Sequence, residues 1–187
     1  MFAELLARLA RGLDRARLPY MIIGGQAVLL HGEPRLTRDV DVTLGAGLER
    51  LQDLLAALGG MGLRPLVDPA EFTKRTLVLP CDDAATGLRV DFILSFTPYE
   101  RDAIARAKKI DIGGEHVQFA TAEDLLVHKI LAGRPRDLED VRGVLRKNPD
   151  LDAGAVRGAL REIGDAIGEP LVDRFEAVFG DVRRPPR

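Results

Sequence analysis

Hydrophobic residues recur first at helical spacing and then at strand spacing along this chain. In residues 2–18, apolar side chains repeat every three or four positions, with arginines largely on the opposite side. This pattern predicts an amphipathic helix. Residues 20–23 form an apolar run of strand length, and residues 37–44 alternate between polar and apolar side chains. Both segments are therefore predicted to be β-strands.

Gly24 and Gly25 lie between these two strands, followed by a short helical pattern over residues 26–30. Both glycines tolerate a positive φ and admit a close ligand, so this turn is suited to holding a phosphate. On the second strand, Asp39 and Asp41 share one face and lie roughly 6.5 to 7 Å apart along the strand. Two carboxylates in this arrangement can converge on a divalent cation such as Mg²⁺, which prefers oxygen ligands.

The rest of the pattern predicts the other elements of the fold. Up to residue 120 we predict a helix over 48–58, a loop over 63–72, strands over 76–80 and 88–96 joined by a turn at 82–87, a helix over 98–108, and short strands over 110–112 and 116–119. From residue 121 onward the pattern is helical. The expected fold class is α/β (α+β), with a mixed β-sheet and flanking helices over residues 1–120. A C-terminal helical bundle over 121–187 is expected to pack on the active cleft.

Composition and charge limit the class of protein. The 187 residues are 46% hydrophobic and 30% charged, which is typical of a globular domain. The single cysteine, Cys81, excludes an intramolecular disulfide and is predicted to be inert. One cysteine and an N-terminus without the apolar core of a signal peptide predict a cytoplasmic protein. No apolar run approaches the roughly 18 residues that span a bilayer, so no membrane partner is expected. The net charge of −2 gives no general attraction for nucleic acid, which would have to bind a local basic patch.

A Gly-Gly turn, a short helix and Asp-x-Asp on the next strand together resemble the signature of the nucleotidyltransferase superfamily. The match covers Gly24, Gly25, Thr37, Asp39 and Asp41. Within the superfamily, the spelling GGQAVLLHGEPRLTRDVD is most similar to the AbiEii-type and minimal nucleotidyltransferases of bacterial toxin–antitoxin and phage-defence systems. The resemblance implies transfer of a nucleoside monophosphate from a nucleoside triphosphate (NTP) to a hydroxyl group, with Mg²⁺ or Mn²⁺ as cofactor.

The resemblance also implies a third carboxylate from a neighbouring strand, and Asp91 is the candidate. It is an acid in an apolar strand context and needs a partner. Asp39, Asp41 and Asp91 would then hold metal ions that activate the acceptor hydroxyl and stabilise the leaving pyrophosphate. Thr37 and Arg38 flank these carboxylates and are candidates for contact with phosphate. Without a catalytic role, the three acids would be surface residues, and Asp91 would form a salt bridge.

A second informative segment, residues 121–144, reads TAEDLLVHKILAGRPRDLEDVRGV. Thr121 and Asp124 resemble a helix capping box, and the register that follows places Lys129 on or beside the buried face. A lysine there needs an anion, unless its stem snorkels and its ammonium group reaches water. Asp137 lies near the first turn of the following helix, where the helix dipole alone would stabilise a carboxylate.

This segment also resembles the AbiEii-type pattern of a lysine followed by arginine and aspartate. The matching residues are Lys129, Arg134, Arg136, Asp137 and Asp140. The resemblance implies that Lys129 contacts the triphosphate and that Asp137 orients Lys129 or the nucleotide. Which of Arg134 and Arg136 contacts the nucleotide stays open. The resemblance further implies a tRNA 3′ end or a protein hydroxyl as acceptor and, for a toxin, a cognate antitoxin.

Two other functions are compatible with parts of the sequence. Asp39 to Thr43 also spells the DxDxT of haloacid dehalogenase-like phosphatases, but the hydrophobic lead-in and the late acidic pair of that family are absent. The chain could instead be a catalytically inert antitoxin or a nucleotide-binding partner protein with a nucleotidyltransferase fold. A pure binding module has no need to hold mutually repelling acids together. His31, His116 and His128 lack the spacing of a zinc site and are predicted to be structural.

Overall fold

A computed structural model describes residues 1–95 and 97–183 of the chain. The chain divides into two compact units. The first, here called the sheet unit, contains Met1–Gln26 and Leu36–Ala120, and the second, here called the helical unit, contains Ala27–Arg35 and the chain from Thr121 onward. Division into domains at residues 120 and 121 stays a prediction, and the structure groups residues 27–35 with the C-terminal helices.

The sheet unit is built around a mixed β-sheet, which has seven strands among the described residues. The strands are β1 (Tyr20–Ile23), β2 (Asp39–Leu44), β3 (Leu63–Pro65), β4 (Val78–Asp83), β5 (Arg89–Leu94), β6 (Lys108–Ile112) and β7 (Glu115–Phe119). Their spatial order is β3-β4-β5-β2-β1-β7-β6. The pairs β2–β5 and β1–β7 are parallel, and the other neighbours are antiparallel. The predicted fold class and the predicted hairpin of β4 and β5 are confirmed.

The helices are divided between the sheet unit and the helical unit. They are α1 (Phe2–Arg15), α2 (Gly24–His31), α3 (Leu51–Leu58), α4 (Pro69–Thr76), α5 (Pro98–Ala105), α6 (Ala122–Ala132), α7 (Pro135–Lys147), α8 (Ala153–Ile167) and α9 (Leu171–Arg183). Single 3-10 turns precede and follow α3. None of the helices in the described part of the chain is long and apolar enough to cross a bilayer.

The two faces of the sheet contact different helices. On one face, α5 contributes Ile104 to a core cluster that includes Ile23 of β1, and Ile23 pairs with Asp41 across the β1–β2 ladder. On the other face, Arg8 of α1 donates a hydrogen bond of 2.8 Å to the buried carboxylate of Asp83. Because side chains alternate along each strand, the α5 face is the one that carries the acids of β2 and β5.

The helical unit has its own apolar core. Leu126, Ile130, Val144, Leu160 and Phe175 are all fully buried, and they come from α6, α7, α8 and α9. The N-terminus of α6 is capped as predicted, because the Thr121 side chain accepts a hydrogen bond from the Asp124 backbone N–H. This burial and capping confirm the predicted C-terminal helical bundle.

Several predicted element boundaries are wrong. The segment predicted to be a loop over 63–72 contains β3 and the first half of α4, and β4 extends through Asp83 into the predicted turn. The helix predicted to begin at Gln26 begins at Gly24, and the strand predicted from Thr37 begins at Asp39. The strand predicted over 88–96 corresponds to β5, which ends at Leu94, and its predicted last residue, Phe96, lies outside the described residues.

Cys81 lies in β4 and is a free, fully buried thiol. Burial raises the pKa of this thiol to about 12, with a further contribution from the negative charges of Asp91 and Asp82. The thiolate, which is the reactive form, is therefore scarcely populated at neutral pH. The prediction that Cys81 is inert agrees with this environment.

Candidate active site

Gly24 and Gly25 bring the backbone of α2 into direct contact with two polar side chains. Gly24 has a φ of +60°, and a Cβ atom built on it would lie 1.7 Å from Oδ2 of Asp41. A Cβ atom built on Gly25 would lie 2.3 Å from Oγ1 of Thr37. No larger residue fits either position without displacing its polar neighbour. The glycine pair therefore forms the first turn of the helix and packs against the Asp-x-Asp segment.

Thr37 holds the first aspartate of this segment. It precedes β2, is 8% exposed, and donates a hydrogen bond of 2.7 Å from its hydroxyl to Oδ1 of Asp39. The hydroxyl is thus fixed between the backbone of Gly25 and the carboxylate of Asp39. The neighbouring Arg38 side chain is exposed.

The strand register brings the third acid beside the first two. In the parallel β2–β5 ladder, Asp41 pairs directly with Asp91, and Asp39 pairs with Arg89. Paired residues of neighbouring strands point to the same face, as do residues two apart on one strand. Asp39, Asp41 and Asp91 therefore lie on one face of two adjacent strands. All three side chains are partly exposed and so accessible to a ligand.

Arg89 supplies a positive charge to this group of acids. Its Nε donates to both carboxylate oxygens of Asp91, at 2.8 and 3.0 Å. The hydrogen bond to Asp91 raises the pKa of the guanidinium, as do the negative charges of Asp91, Asp39 and Asp41. The Arg89 side chain is 55% exposed and that of Asp91 is 18% exposed. From the sequence alone, Arg35 and Arg89 are equally plausible as structural partners of the acids, and the structure shows that Arg89 contacts Asp91.

The chemistry of this donor set fits a hard divalent cation, because carboxylate oxygens from two strands share one face beside a tight glycine turn. Within residues 1–95 and 97–183, however, no group of three His, Cys, Asp or Glu side chains is arranged to hold a metal ion. Asp39 accepts a hydrogen bond from Thr37, and Asp91 accepts one from Arg89. Asp39 and Asp91 are therefore suitable as metal ligands by their chemistry and are also held by neighbouring side chains.

Lys129 lies in the helical unit and is buried in an ion-pair cluster. Its Nζ is 2.8 Å from Oδ1 of Asp137 and 2.7 Å from Oδ2 of Asp140. Arg134 donates from Nε to Asp137 at 2.6 Å, and Arg35 donates from Nε to Asp140 at 2.7 Å. Lys129 is 6% exposed, so its ammonium group does not snorkel to water. Asp137 and Asp140, the two aspartates of the segment after Lys129, both serve as its partners.

These contacts determine the protonation of Asp137. Burial by itself would raise the pKa of this carboxyl, but hydrogen bonds from Arg134 and Lys129 outweigh burial and lower the pKa. Asp137 is therefore ionised in the folded protein at neutral pH. Of the two arginines left open by the sequence, Arg134 contacts Asp137, and Arg136 is an exposed residue of α7.

A basic groove lies on the opposite face of the sheet unit from the acids. It has a volume of about 640 Å³ and lies beside α1 and α3. Its charged lining residues are Arg8, Arg11, Arg15, Arg50 and Asp53. Arg8 is held by Asp83, and Arg50 pairs with Asp53. The sequence identified the α1 arginines only as the polar side of a packing helix.

A family model described as a nucleotidyltransferase of unknown function, DUF6036, matches residues 2–154 of this chain. The chain belongs to this family. The DUF6036 match includes the glycine turn, all three acids, Lys129 and Asp137. The predicted nucleotidyltransferase superfamily is confirmed, and the dehalogenase-like interpretation has no support. Assignment to the AbiEii-type group stays a prediction. No curated protein matches the sequence.

Solved structures share the fold of this DUF6036 nucleotidyltransferase. The solution structure of the antibiotic-resistance factor ANT(2″)-Ia has a TM-score of 0.62 at 18% identity, over 89% of this chain and 92% of that one. An antigenic nucleotidyltransferase-like protein from Paracoccidioides brasiliensis has a TM-score of 0.56 at 18% identity, over 95% and 96%. ANT(2″)-Ia in complex with adenylyl-2″-tobramycin has a TM-score of 0.50 at 20% identity, over 92% and 95%. At these identities the similarity is one of fold.

Proposed function

We propose that this DUF6036 protein transfers a nucleoside monophosphate from an NTP to a hydroxyl acceptor, using Mg²⁺ or Mn²⁺ held by Asp39, Asp41 and Asp91. The observation that carries the proposal is the register of β2 and β5, which sets Asp91 directly beside Asp41 on the face that also carries Asp39. The close approach of Gly24 to Asp41 supports it. A helix N-terminus packed beside carboxylates can accept both a triphosphate and its cation.

The reaction is an in-line displacement at the α-phosphorus. The acceptor hydroxyl oxygen forms a bond to that phosphorus, the bond to the bridging oxygen of the β-phosphate breaks, and pyrophosphate leaves with the electron pair. The hydroxyl proton passes to a carboxylate of the site or to water. A divalent ion bound by the three acids would lower the pKa of the acceptor hydroxyl and neutralise charge on the triphosphate.

The other residues are assigned to nucleotide binding. Gly24 and Gly25 offer backbone at the start of α2, and Thr37 and Arg38 flank the acids on the chain. Lys129 is proposed to contact the triphosphate, Asp137 to orient Lys129 or the nucleotide, and Arg134 or Arg136 to contact the nucleotide. Because Lys129 is already paired with Asp137 and Asp140, phosphate oxygens must compete with these two carboxylates for its ammonium group.

The acceptor is proposed to be a tRNA 3′ end or a protein hydroxyl, and the site of action the cytoplasm. A toxin role with a cognate antitoxin follows from the AbiEii-type resemblance. The ANT(2″)-Ia complex with adenylyl-2″-tobramycin makes an aminoglycoside a third acceptor to include in the test. The net charge of −2 does not favour one of these acceptors over the others.

The test is incorporation of label from each of the four NTPs, with Mg²⁺ or Mn²⁺, into total tRNA, lysate protein or tobramycin. We expect one acceptor to be labelled by the parent protein and none by Asp39→Ala or Asp91→Asn. Asp111→Asn is the control, because Asp111 is an exposed acid of β6 in the same unit and lies outside the groove lining. Unchanged labelling by Asp39→Ala would reject this site. A folded parent that binds NTP and labels no acceptor would support the inert antitoxin or nucleotide-binding partner instead.

A further inference from the structure

A row of alternating charges crosses four neighbouring strands on the face that carries the acids. In the strand register, Asp39 of β2 lies opposite Arg89 of β5, and Arg89 lies opposite Asp82 of β4. Asp82 in turn lies opposite Arg64 of β3. The row therefore reads acid, base, acid, base across the sheet. Asp41 and Asp91 form the next row toward the C-terminal ends of β2 and β5.

The two arginines of this row form hydrogen bonds with different acids. Arg64 donates from its guanidinium to Asp82 at 2.8 Å. Arg89 donates instead to both oxygens of Asp91, two positions along its own strand. With Asp82 occupied by Arg64, Arg89 is directed toward the three acids of the candidate active site. Its positive charge lies among three negative charges, which would otherwise repel one another.

We propose that Arg89 is the counter-ion of the three acids in the metal-free protein, and that a divalent cation must displace it from Asp91 to bind. This inference rests on the proposed function, because it concerns the same carboxylates. It accounts for two observations together. The acids share one face, and yet no three of the acidic, histidine or cysteine side chains in the described parts of the chain are arranged to hold a metal.

The consequence is a site that binds divalent ions weakly until Arg89 leaves. A unit positive charge about 6 Å from a divalent ion in a water-like medium opposes its binding by about tenfold. This repulsion falls as salt rises, because exposed charges are screened. If Arg89 repels the metal, its removal should strengthen metal binding. If Arg89 instead positions Asp91 for the metal, its removal should weaken metal binding. The sign of the change therefore separates the two roles.

The test is a titration of Mn²⁺ into metal-stripped protein without nucleotide, at low salt, with free Mn²⁺ followed by electron paramagnetic resonance. We expect Arg89→Gln to lower the Mn²⁺ Kd by about tenfold and to gain more in melting temperature than the parent at saturating Mn²⁺. The increase in affinity should shrink in high salt. Adding Asp91→Asn to Arg89→Gln should abolish the tight binding, which would identify the carboxylates as the ligands.

Arg50→Gln is the matched control, because Arg50 is also an ion-paired, partly exposed arginine of the sheet unit and lies at the groove on the other face. It should leave the Mn²⁺ Kd unchanged. Equal or weaker Mn²⁺ binding by folded Arg89→Gln would overturn the inference and leave the proposed function standing. Absence of Mn²⁺ binding in both the parent and Arg89→Gln would reject the metal site itself, and with it the proposed function.

Discussion

Position 24 is restricted to glycine by two independent features of the backbone. Its φ of +60° is unfavourable for a residue with a side chain, and a Cβ atom there would overlap Oδ2 of Asp41. We expect Gly24→Ala to reduce the free energy of unfolding by about 2 kcal/mol or more, since strain and displacement of the carboxylate add. Transferase activity should be lost as well. Denaturant unfolding and the labelling assay measure the two effects.

The control for this substitution is Gly60→Ala. A Cβ atom at Gly60 would meet nothing within 4 Å, and its φ lies outside the left-handed region. This change should leave stability and activity close to those of the parent. A Gly24→Ala protein as stable and as active as Gly60→Ala would show that the contact with Asp41 is not required.

Asp39 provides a second test at the scale of one residue. Asn at this position keeps an oxygen that can accept the hydrogen bond from Thr37, and it removes one of three like charges. We expect Asp39→Asn to melt at the same temperature as the parent or higher when metal is absent. Adding Mg²⁺ with NTP should stabilise the parent by mass action and not the variant. A large loss of stability would indicate a structural network instead.

Individual residues differ in how far the sequence could identify them. The strand alternation put Asp39 and Asp41 on one face, and the structure agrees. The pairing of Arg35 with Asp140 joins residues 105 positions apart, and no local pattern could indicate it. The same is true of Arg89, because its position beside Asp39 depends on the register between two strands that are distant in the sequence.

At the scale of elements, Lys129 joins α6 to α7. Replacing it with methionine would leave the buried carboxylates of Asp137 and Asp140 without its charge. Loss of one partner of a buried ion pair typically reduces stability by about 3 to 5 kcal/mol. We expect a loss of this size for Lys129→Met in denaturant unfolding, and almost none for Lys147→Met, which alters an exposed residue of α7. Equal losses of stability in Lys129→Met and Lys147→Met would mean that the ion-pair cluster around Lys129 contributes little to the free energy of unfolding.

Acid should weaken the same junction of helices. Because the pKa of Asp137 is lowered on folding, its contribution to stability is present above the ordinary value of 3.8 and is lost as pH falls through the folded pKa. Asp137→Asn should therefore make stability fall less steeply as pH decreases below about 5. Asp150→Asn changes an exposed residue and should leave the fall in stability at acid pH as steep as in the parent.

Among the elements, α4 shows why one prediction from the sequence was wrong. The two prolines in residues 63–72 favour a loop when only the sequence is considered, but Pro69 occupies the first turn of α4, where proline is favourable. Asp68 caps that helix by accepting from the Glu71 backbone N–H. Pro65 ends β3, an edge strand, where a missing N–H is tolerated. The residues that predict α4 are adjacent in the sequence and could have been recognised. The pairing of β3 with β4 depends on residues that are distant in the sequence, so no local pattern indicates it.

At the scale of the whole molecule, the basic groove offers a way to choose between acceptors. The net charge of −2 provides no general field, so tRNA would have to use a local patch such as this groove. If tRNA is the acceptor, Arg15→Glu at the groove should raise the KM for tRNA and leave the KM for NTP unchanged. Arg161→Glu makes the same charge change at an exposed position of α8 and should alter neither. A protein or aminoglycoside acceptor would not produce this difference.

The single buried thiol also makes the molecule a reporter of its own opening. Cys81 lies in β4, between β3 and β5, and its side chain is inaccessible. An alkylating reagent can therefore modify the native chain only when the sheet separates locally or the whole unit unfolds. The rate of alkylation should follow the population of these open states, without any introduced label. A ligand that binds the folded sheet unit would slow the modification, which makes this cysteine a direct readout of NTP binding.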